Sequence, residues 1–170
     1  MRSSFFLLLW TVLVPTAAIF GQSAPFNKVK FFEEETPLKA SLEADWSKLI
    51  NQKKSSDKIY QGIFSCTLPE QGAVSETVNL QVKGHFRREH CYVPPIKISF
   101  KKSPESVMHS LKGLKMVNAC KANPANDQYL LREYLIYKMY NLLTEKSFRV
   151  RLLEVDFKDS SGRISPFTSH

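Results

Sequence analysis

One stretch of this sequence, NDQYLLREYLIYKMYNLLTEK at 126–146, constrains the fold more than any other. When its residues are placed at about 100° per step, Leu131, Leu135 and Met139 fall on one side of a helix. Further leucine and tyrosine residues form a second apolar flank. A helix that is apolar on most of its circumference is typical of a protein interior. We therefore predict a buried helix over this stretch, which packs on the rest of the domain and braces it.

The beginning of this helix and two ions within it are also visible in the sequence. Pro124 cannot continue an upstream helix, and the side chain of Asn126 or Asp127 can accept a hydrogen bond from the first free backbone N–H groups. Arg132 and Glu133 lie among leucines and tyrosines, where buried ions need partners or a ligand. Two interpretations stay open: a functional pair, or an arginine at the edge of the core with a glutamate that faces water.

The amino-terminal residues have the pattern of a secretory signal peptide. A basic start at Arg2 precedes an apolar run, 5–20, which is followed by small and polar residues. A membrane anchor is the alternative, but a run of 16 residues interrupted by Pro15 is shorter than the roughly 20 that span a bilayer. We predict a signal peptide over 1–21 and an extended leader over 22–36. The expected protein is exported, to the periplasm, the cell surface or the medium, and is not an integral membrane protein after cleavage.

Export changes the meaning of the three cysteines, Cys66, Cys91 and Cys120. An oxidising compartment permits one disulfide and leaves one thiol. Cys91 and Cys120 both lie at the ends of predicted strands, whereas Cys66 lies inside an alternating strand. We therefore favour a disulfide between Cys91 and Cys120. The other pairings, and a protein with no disulfide, remain alternatives.

The charge of the chain favours anionic partners. Without Arg2, 23 lysine and arginine residues remain against 16 acidic residues, which gives a net charge of +7. The basic residues are dispersed and form no arginine-rich arm or basic helix that would follow a phosphate backbone. We expect no nucleic-acid partner. An envelope or cell-surface protein, or an anionic polymer, is the expected class of partner.

After the leader, apolar and polar residues alternate in several short runs, which is the pattern of half-buried strands. The first run, 37–44, is followed by Asp45, whose side chain can cap a short helix over 46–52. Two further runs, 59–67 and 74–86, are separated by a turn signal and predict a hairpin.

The second half of the chain continues in the same way. Strands are predicted at 96–101, 114–117 and 147–157, with a charged turn at 87–90 and a turn signal at 159–162. The order of elements predicts an α+β fold in which an antiparallel sheet carries one long packed helix.

We assign this fold to a single domain over 37–162, with a tail over 163–170. The long last strand has no complete return strand within that tail, and Pro166 interrupts the tail. Either the sheet ends on an exposed edge or the chain is truncated. We favour truncation, so the fold is expected to be incomplete.

No motif for catalysis is present in the sequence, and no catalytic residue is assigned. The string from His85 to Cys91, HFRREHC, holds two imidazoles and a thiol, and such groups bind zinc in proteins. A fourth ligand would have to come from a distant part of the chain. We therefore favour a basic turn with a disulfide cysteine and predict no metal site.

Basic side chains are the stronger candidates for a binding site. Five basic residues converge if the strand at 96–101 lies beside the hairpin and the long helix packs across them: Lys97, Lys101, Arg87, Arg88 and Arg132. Such a cluster would bind an anion, because amines and guanidinium groups pair with phosphate or carboxylate oxygens. The alternative is a basic sheet face that is simply solvated.

Four segments of the chain carry a family resemblance: VKGHFRREHCYVPPIKISFKK, LKGLKMVNACK, QYLLREYLIYKMYNLL and SFRVRLLEVDFKDSSG. In this order they resemble the amino-terminal part of exported bacterial proteins of the CotH kinase-like family. That family has a glycine-containing segment, a lysine strand, a helix that begins with leucine and arginine, and a further strand. The positions here are 83–87, 95–100, 131–137 and 155–162. His85, Phe86 and Arg87 replace the asparagine and two serines of the family pattern.

The resemblance implies the small lobe of an atypical kinase, in which a sheet and a helix hold nucleotide phosphates. Lys97 and Arg132 would then contact the phosphates, with Glu133 as a partner. In the family a larger lobe carries the aspartates that hold magnesium and serve catalysis, and nothing after Gly162 supplies it. The chain is therefore expected to be inactive alone, with no certain cofactor and with Mg-ATP as a candidate ligand of a full-length relative. The alternative is a non-catalytic envelope or surface domain that binds an anionic polymer or protein.

Overall fold

A computed structural model describes residues 29–55, 57–111, 113–120 and 124–169, so the predicted signal peptide, 1–21, lies outside the described residues. Seven strands are found among them. The strands are β1 (Leu38–Ala44), β2 (Ile59–Leu68), β3 (Gly72–Val82), β4 (Ile96–Phe100), β5 (Leu114–Met116), β6 (Leu153–Asp159) and β7 (Phe167–Ser169). They form one sheet in the order β5-β4-β3-β2-β1-β6-β7. Neighbouring strands are antiparallel, except that β1 and β6 run parallel.

The helices lie in the connections between strands. They are α1 (Trp46–Asn51), α2 (Phe86–His90), a 3-10 helix (Val107–Ser110) and α3 (Pro124–Leu143). The α+β fold predicted from the order of elements is confirmed. The sheet differs from the prediction in its one parallel pair, which arises because α3 and the segment after it carry the chain across to the free side of β1.

The alternating pattern of the strands separates one buried face of the sheet from one exposed face. On the buried face, Phe64 of β2, Leu80 of β3 and Ile98 of β4 are each 0% exposed. Leu80 lies opposite both Tyr60 and Ile98, so the buried row continues across three strands. The inner face of the sheet is therefore the main wall of the hydrophobic core.

Helix α1 closes one end of this core. Its side chain Trp46 is fully buried, contacts the Phe157 ring edge-on with the ring centroids 4.8 Å apart, and donates an indole hydrogen bond to the Leu42 carbonyl oxygen (3.1 Å). The predicted cap is present, because the Asp45 carboxylate accepts a hydrogen bond from the backbone N–H of Lys48 (2.8 Å).

Asp159 organises the turn after β6. Its carboxylate accepts hydrogen bonds from the Ser161 hydroxyl and from the backbone N–H groups of Ser47, Arg163 and Ile164. Desolvation raises the pKa of Asp159, but the four hydrogen bonds outweigh it and hold the pKa well below its usual range. The ionised carboxylate therefore stabilises the fold above the unfolded-state pKa, and this contribution is lost as the pH falls through the folded-state pKa.

The residues ahead of β1 are tied into the domain rather than extended along it. Residues 31–33 form a turn, and Phe31 is buried. The guanidinium of Arg151 donates to the Phe31 carbonyl oxygen (3.0 Å) and to the Thr36 carbonyl oxygen (3.3 Å), and it pairs with Glu34 at 3.2 Å. Arg151 therefore fastens this part of the predicted leader to the body of the protein.

Three local predictions differ from the structure. The charged turn predicted at 87–90 lies within α2, where the N–H of Cys91 bonds to the Arg87 carbonyl oxygen (3.0 Å) in helical geometry. The last long strand begins at Leu153, because that residue lies opposite Leu38, the first residue of β1, and earlier residues have no strand to pair with. The predicted tail contains β7, which pairs with β6.

The prediction that the long helix is buried is wrong. Leu131, Leu135 and Met139, which define its expected inner side, are 46%, 57% and 63% exposed. None of the described side chains of α3 belongs to the hydrophobic core or packs against it. The helix also begins at Pro124, so Asn126 is in its first turn and not at its cap. A proline suits this first position because its missing N–H has no helical partner there.

Candidate anion-binding site

Two lysines lie directly opposite each other on the exposed face of the sheet. Lys97 is the second residue of β4, between the buried residues Ile96 and Ile98, and its register partner on β5 is Lys115. Both lysine side chains are exposed. Directly opposed like charges on adjacent strands are destabilising, because their side chains lie within a few ångströms of each other. This arrangement favours a bound anion that would offset the repulsion.

At the other end of the sheet, lysines on the same face lie opposite glutamates. On the parallel pair β1 and β6, Lys39 lies opposite Glu154, with a nitrogen-to-oxygen distance of 3.9 Å, and Glu43 lies opposite Lys158. In the part of the chain that the structure describes, neither Lys97 nor any other lysine of β4 and β5 forms an ion pair. The uncompensated charge is therefore local to one edge of the sheet.

The outer positions of β3, which lies beside β4, add polar groups and carry no acid within the described residues. On β3, the exposed-face positions are held by alanine, serine, threonine, asparagine and glutamine residues, and Gln81 is the register partner of Lys97. Glu76, the acidic residue of β3, lies in the alternate row that includes Val78. Its carboxylate accepts hydrogen bonds from the Ser106 hydroxyl and the Met108 N–H, so it caps the 3-10 helix.

Gly113 brings the beginning of β5 close to β4. A Cβ atom at this position would stand 3.1 Å from the Ile98 carbonyl oxygen and 3.5 Å from Cε of Lys97. A Cβ atom there would crowd the Ile98 carbonyl oxygen, whereas its distance to Lys97 is an ordinary van der Waals contact. The aliphatic part of Lys97 therefore lies beside Gly113.

The other predicted site residues occupy different surroundings. Arg87, in α2, pairs with Glu133 of α3 at 3.5 Å, and both side chains are partly exposed. Glu133 thus pairs with an arginine from a short helix, whereas the family resemblance implies a strand lysine as partner. Lys101 is exposed and lies one residue beyond the end of β4, the strand that carries Lys97.

Arg132 is exposed on the outer side of α3. Its guanidinium carbon lies 5.9 Å from the centre of the Tyr129 ring, one turn earlier in the same helix. Among the described residues, Arg132 forms no ion pair. Its predicted role as a phosphate contact beside Lys97 stays a prediction.

The predicted disulfide is confirmed. Cys91 and Cys120 are joined, with Cα atoms 4.4 Å apart, and the bond connects the end of α2 to the segment that leads into α3. Cys66 is a buried free thiol on β2, and desolvation raises its pKa to about 11. A protonated, buried thiol is a poor nucleophile, so Cys66 packs as a small apolar side chain.

Neither a cluster of metal ligands nor a membrane-spanning helix is found among the described residues. Within them, no group of three or more histidine, cysteine or acidic side chains is placed to hold a metal ion. Cys91 is engaged in the disulfide, so it offers no thiolate to a zinc site with His85 and His90. In the described part of the chain, no helix is both long enough and apolar enough to cross a membrane.

Comparison with known protein families, with curated proteins and with solved structures finds no match.

Lys115 is the site residue that the sequence interpretation missed. Its strand, with Leu114 and Met116 on one side and Lys115 on the other, was visible as an alternating run. Strands that follow each other in sequence commonly pair, so the neighbour of β4 could have been inferred. That step, taken together with the alternation, would have placed Lys115 on the same face as Lys97.

Proposed function

We propose that this chain is an exported domain that binds a phosphate-bearing ligand through Lys97 and Lys115 and transfers no phosphate by itself. The observation that carries the proposal is the register of β4 and β5, which sets two lysines opposite each other. Neither lysine forms an ion pair with a residue that the structure describes. A bound phosphate would accept hydrogen bonds from both amines and remove their repulsion. The Cys91–Cys120 disulfide is compatible with an exported protein.

The resemblance to the small lobe of CotH-type kinase-like proteins supports a nucleotide as the ligand. In that arrangement the strand lysine contacts nucleotide phosphates, and Lys97 occupies the corresponding strand here. Lys115 would share the same phosphates from the neighbouring strand. A nucleotide ligand predicts that Mg-ATP binds through these two lysines.

A polymer is the second candidate ligand, and the exposure of both lysines favours it. The two amines lie on an open sheet face, where a chain of phosphate or carboxylate groups can run past them. Lys101 lies just beyond the same strand and extends the basic surface. A polymer would use all three lysines, whereas one nucleotide triphosphate needs only the opposed pair.

Isothermal titration calorimetry of the exported protein tests both candidates, with Mg-ATP and inorganic polyphosphate as the probes. We expect Lys97→Ala and Lys115→Ala each to weaken binding at least about threefold, and the double variant about tenfold or more. Lys39→Ala and Lys158→Ala are matched controls, because both are exposed strand lysines that face a glutamate. Raising the salt concentration should weaken binding, because exposed charges are screened.

The two ligands are distinguished by which lysine variants weaken binding. Binding of Mg-ATP that depends on Lys97 and Lys115 but not on Lys101 supports the nucleotide. Binding of polyphosphate that also falls with Lys101→Ala supports the polymer. Equal losses in the two control variants, or no binding of either probe at low salt, would show that the opposed lysines do not form an anion site.

A further inference from the structure

Helix α3 turns its apolar side away from the domain. The outward side carries six large apolar residues, each at least 46% exposed: Leu131, Leu135, Ile136, Met139, Leu142 and Leu143. Leu142 and Leu143 are 88% and 80% exposed. A surface helix normally places its apolar stripe against its own core and its charged residues in water. A continuous apolar patch of this size is unusual for a free protein surface and marks an interaction site.

The side of α3 that meets the rest of the protein combines half-buried apolar residues, Leu130, Tyr134 and Tyr137, with polar contacts. Glu133 pairs with Arg87, Lys138 pairs with Glu35 at 3.0 Å, and the Asn141 amide donates to the Phe148 carbonyl oxygen at 2.8 Å. These contacts fix the rotation of the helix about its axis. The apolar side therefore cannot turn inward without breaking two ion pairs and a hydrogen bond.

The spacing of the outward residues is that of a helix-pairing seam. Tyr129, Arg132, Ile136, Met139 and Leu143 follow one another at intervals of three, four, three and four residues. This alternation is the heptad pattern by which one helix packs against another. The seam is apolar except at Arg132, and a single polar residue in a seam selects the partner.

The charge of Arg132 distinguishes between two binding partners of the seam, a second copy of this chain and a different polypeptide. A guanidinium that is covered by another protein needs an acidic partner, since burying it unpaired is costly. The outward side of α3 carries no carboxylate, and Glu133 points inward to Arg87. A second copy of this helix would therefore bury Arg132 against an apolar or basic surface. A different chain that supplies a carboxylate would pair with Arg132 and cover the apolar residues of the seam.

We propose that the outward face of α3 binds a helix of another polypeptide, which presents an apolar heptad seam with one carboxylate opposite Arg132. The site is separate from the lysine pair on the sheet and does not depend on the anion-binding proposal. Its specificity comes from one charge, and its binding energy comes from the apolar residues that surround that charge.

A peptide-binding experiment tests this proposal. The probe is a fluorescently labelled synthetic helix with leucines at heptad positions and a glutamate at the central seam position, and the matched probe carries lysine there. Fluorescence anisotropy with the exported protein should show binding of the glutamate peptide at least about tenfold tighter than the lysine peptide. Arg132→Glu should reverse this preference.

Two isoleucines provide a matched pair of variants. Ile136→Asp, in the seam, should abolish binding of the glutamate peptide. Ile59→Asp changes an equally exposed isoleucine on β2 and should leave binding unchanged. Circular dichroism of both variants verifies that they are folded, and both are expected to be, because each side chain is more than half exposed.

Several results would overturn the proposal. One is equal binding of the glutamate and lysine peptides by the wild-type protein. Another is a dimer in sedimentation equilibrium that Ile136→Asp abolishes, which would assign the face to a second copy. Competition by a peptide of residues 5–20 of this chain would assign the face to the chain's own apolar segment.

Discussion

The inner face of the sheet and the outward face of α3 are both rich in large apolar residues, yet only the first is buried. Leu80 on β3 is fully buried, whereas Leu142 on α3 is 88% exposed. β3 and β4 differ from the helix in that their two sides are chemically distinct, with large apolar residues on one and mainly polar residues on the other. The helix carries apolar residues on both sides, so only one of them could meet the domain.

This difference shows that apolar composition does not by itself specify which side of an element is buried. In the sheet, any register that buries the polar row would lose most of the core, so the alternation determines the orientation. In α3, the polar contacts Arg87–Glu133 and Glu35–Lys138 determine it instead. The outward apolar residues are then left for a partner.

The largest expected effect compares the same substitution in the two regions. Leu80→Ala should lower the free energy of unfolding by about 2–5 kcal/mol, because it removes buried methyl groups and leaves a cavity. Leu142→Ala should change it by no more than about 0.5 kcal/mol, because the side chain is exposed. Urea denaturation followed by circular dichroism measures both. A loss above about 1 kcal/mol at Leu142 would show that this face is covered in the isolated protein.

The disulfide offers a second comparison, because it lies between the two regions. Replacing both Cys91 and Cys120 by serine opens a loop with a sequence separation of 29 and should cost about 2–4 kcal/mol of stability. Amide hydrogen exchange should show the largest loss of protection in α2 and α3, and a smaller loss in β1–β3. Cys66→Ala is the control, since it removes a cysteine without opening a loop. Uniform loss of protection would show that the helix and the sheet unfold as one unit.

The smallest expected effect concerns the ion pair that orients α3. A double-mutant cycle of Arg87→Ala and Glu133→Ala should give a coupling energy of about 0.2–1 kcal/mol, because both side chains are partly exposed and screened by solvent. The coupling should decrease at high salt. A coupling of several kcal/mol would indicate a dry interface beneath the helix. Zero coupling would leave the orientation of α3 to its remaining contacts.

The candidate site was predictable in part. Lys97 was identified because β4 alternates strictly, and the strand has the predicted face. Its partner Lys115 was missed because it required a second inference, the pairing of β4 with β5. Arg132 was grouped with Lys97 on the assumption that α3 packs across the sheet. The ion pairs of α3 are instead with α2 and with the leader.

The sequence alone predicted strands β1 to β6, the capped helix α1, the existence of α3 and a disulfide that was favoured over its alternatives. Each of these follows from local periodicity or from one side chain acting on its neighbours, as with Asp45 at the beginning of α1. Only the tertiary structure decided the parallel pairing of β1 with β6, the opposition of Lys97 and Lys115, and the rotation of α3. These features depend on contacts between residues far apart in the chain, and a helix that is apolar on both sides carries no local signal for choosing between them.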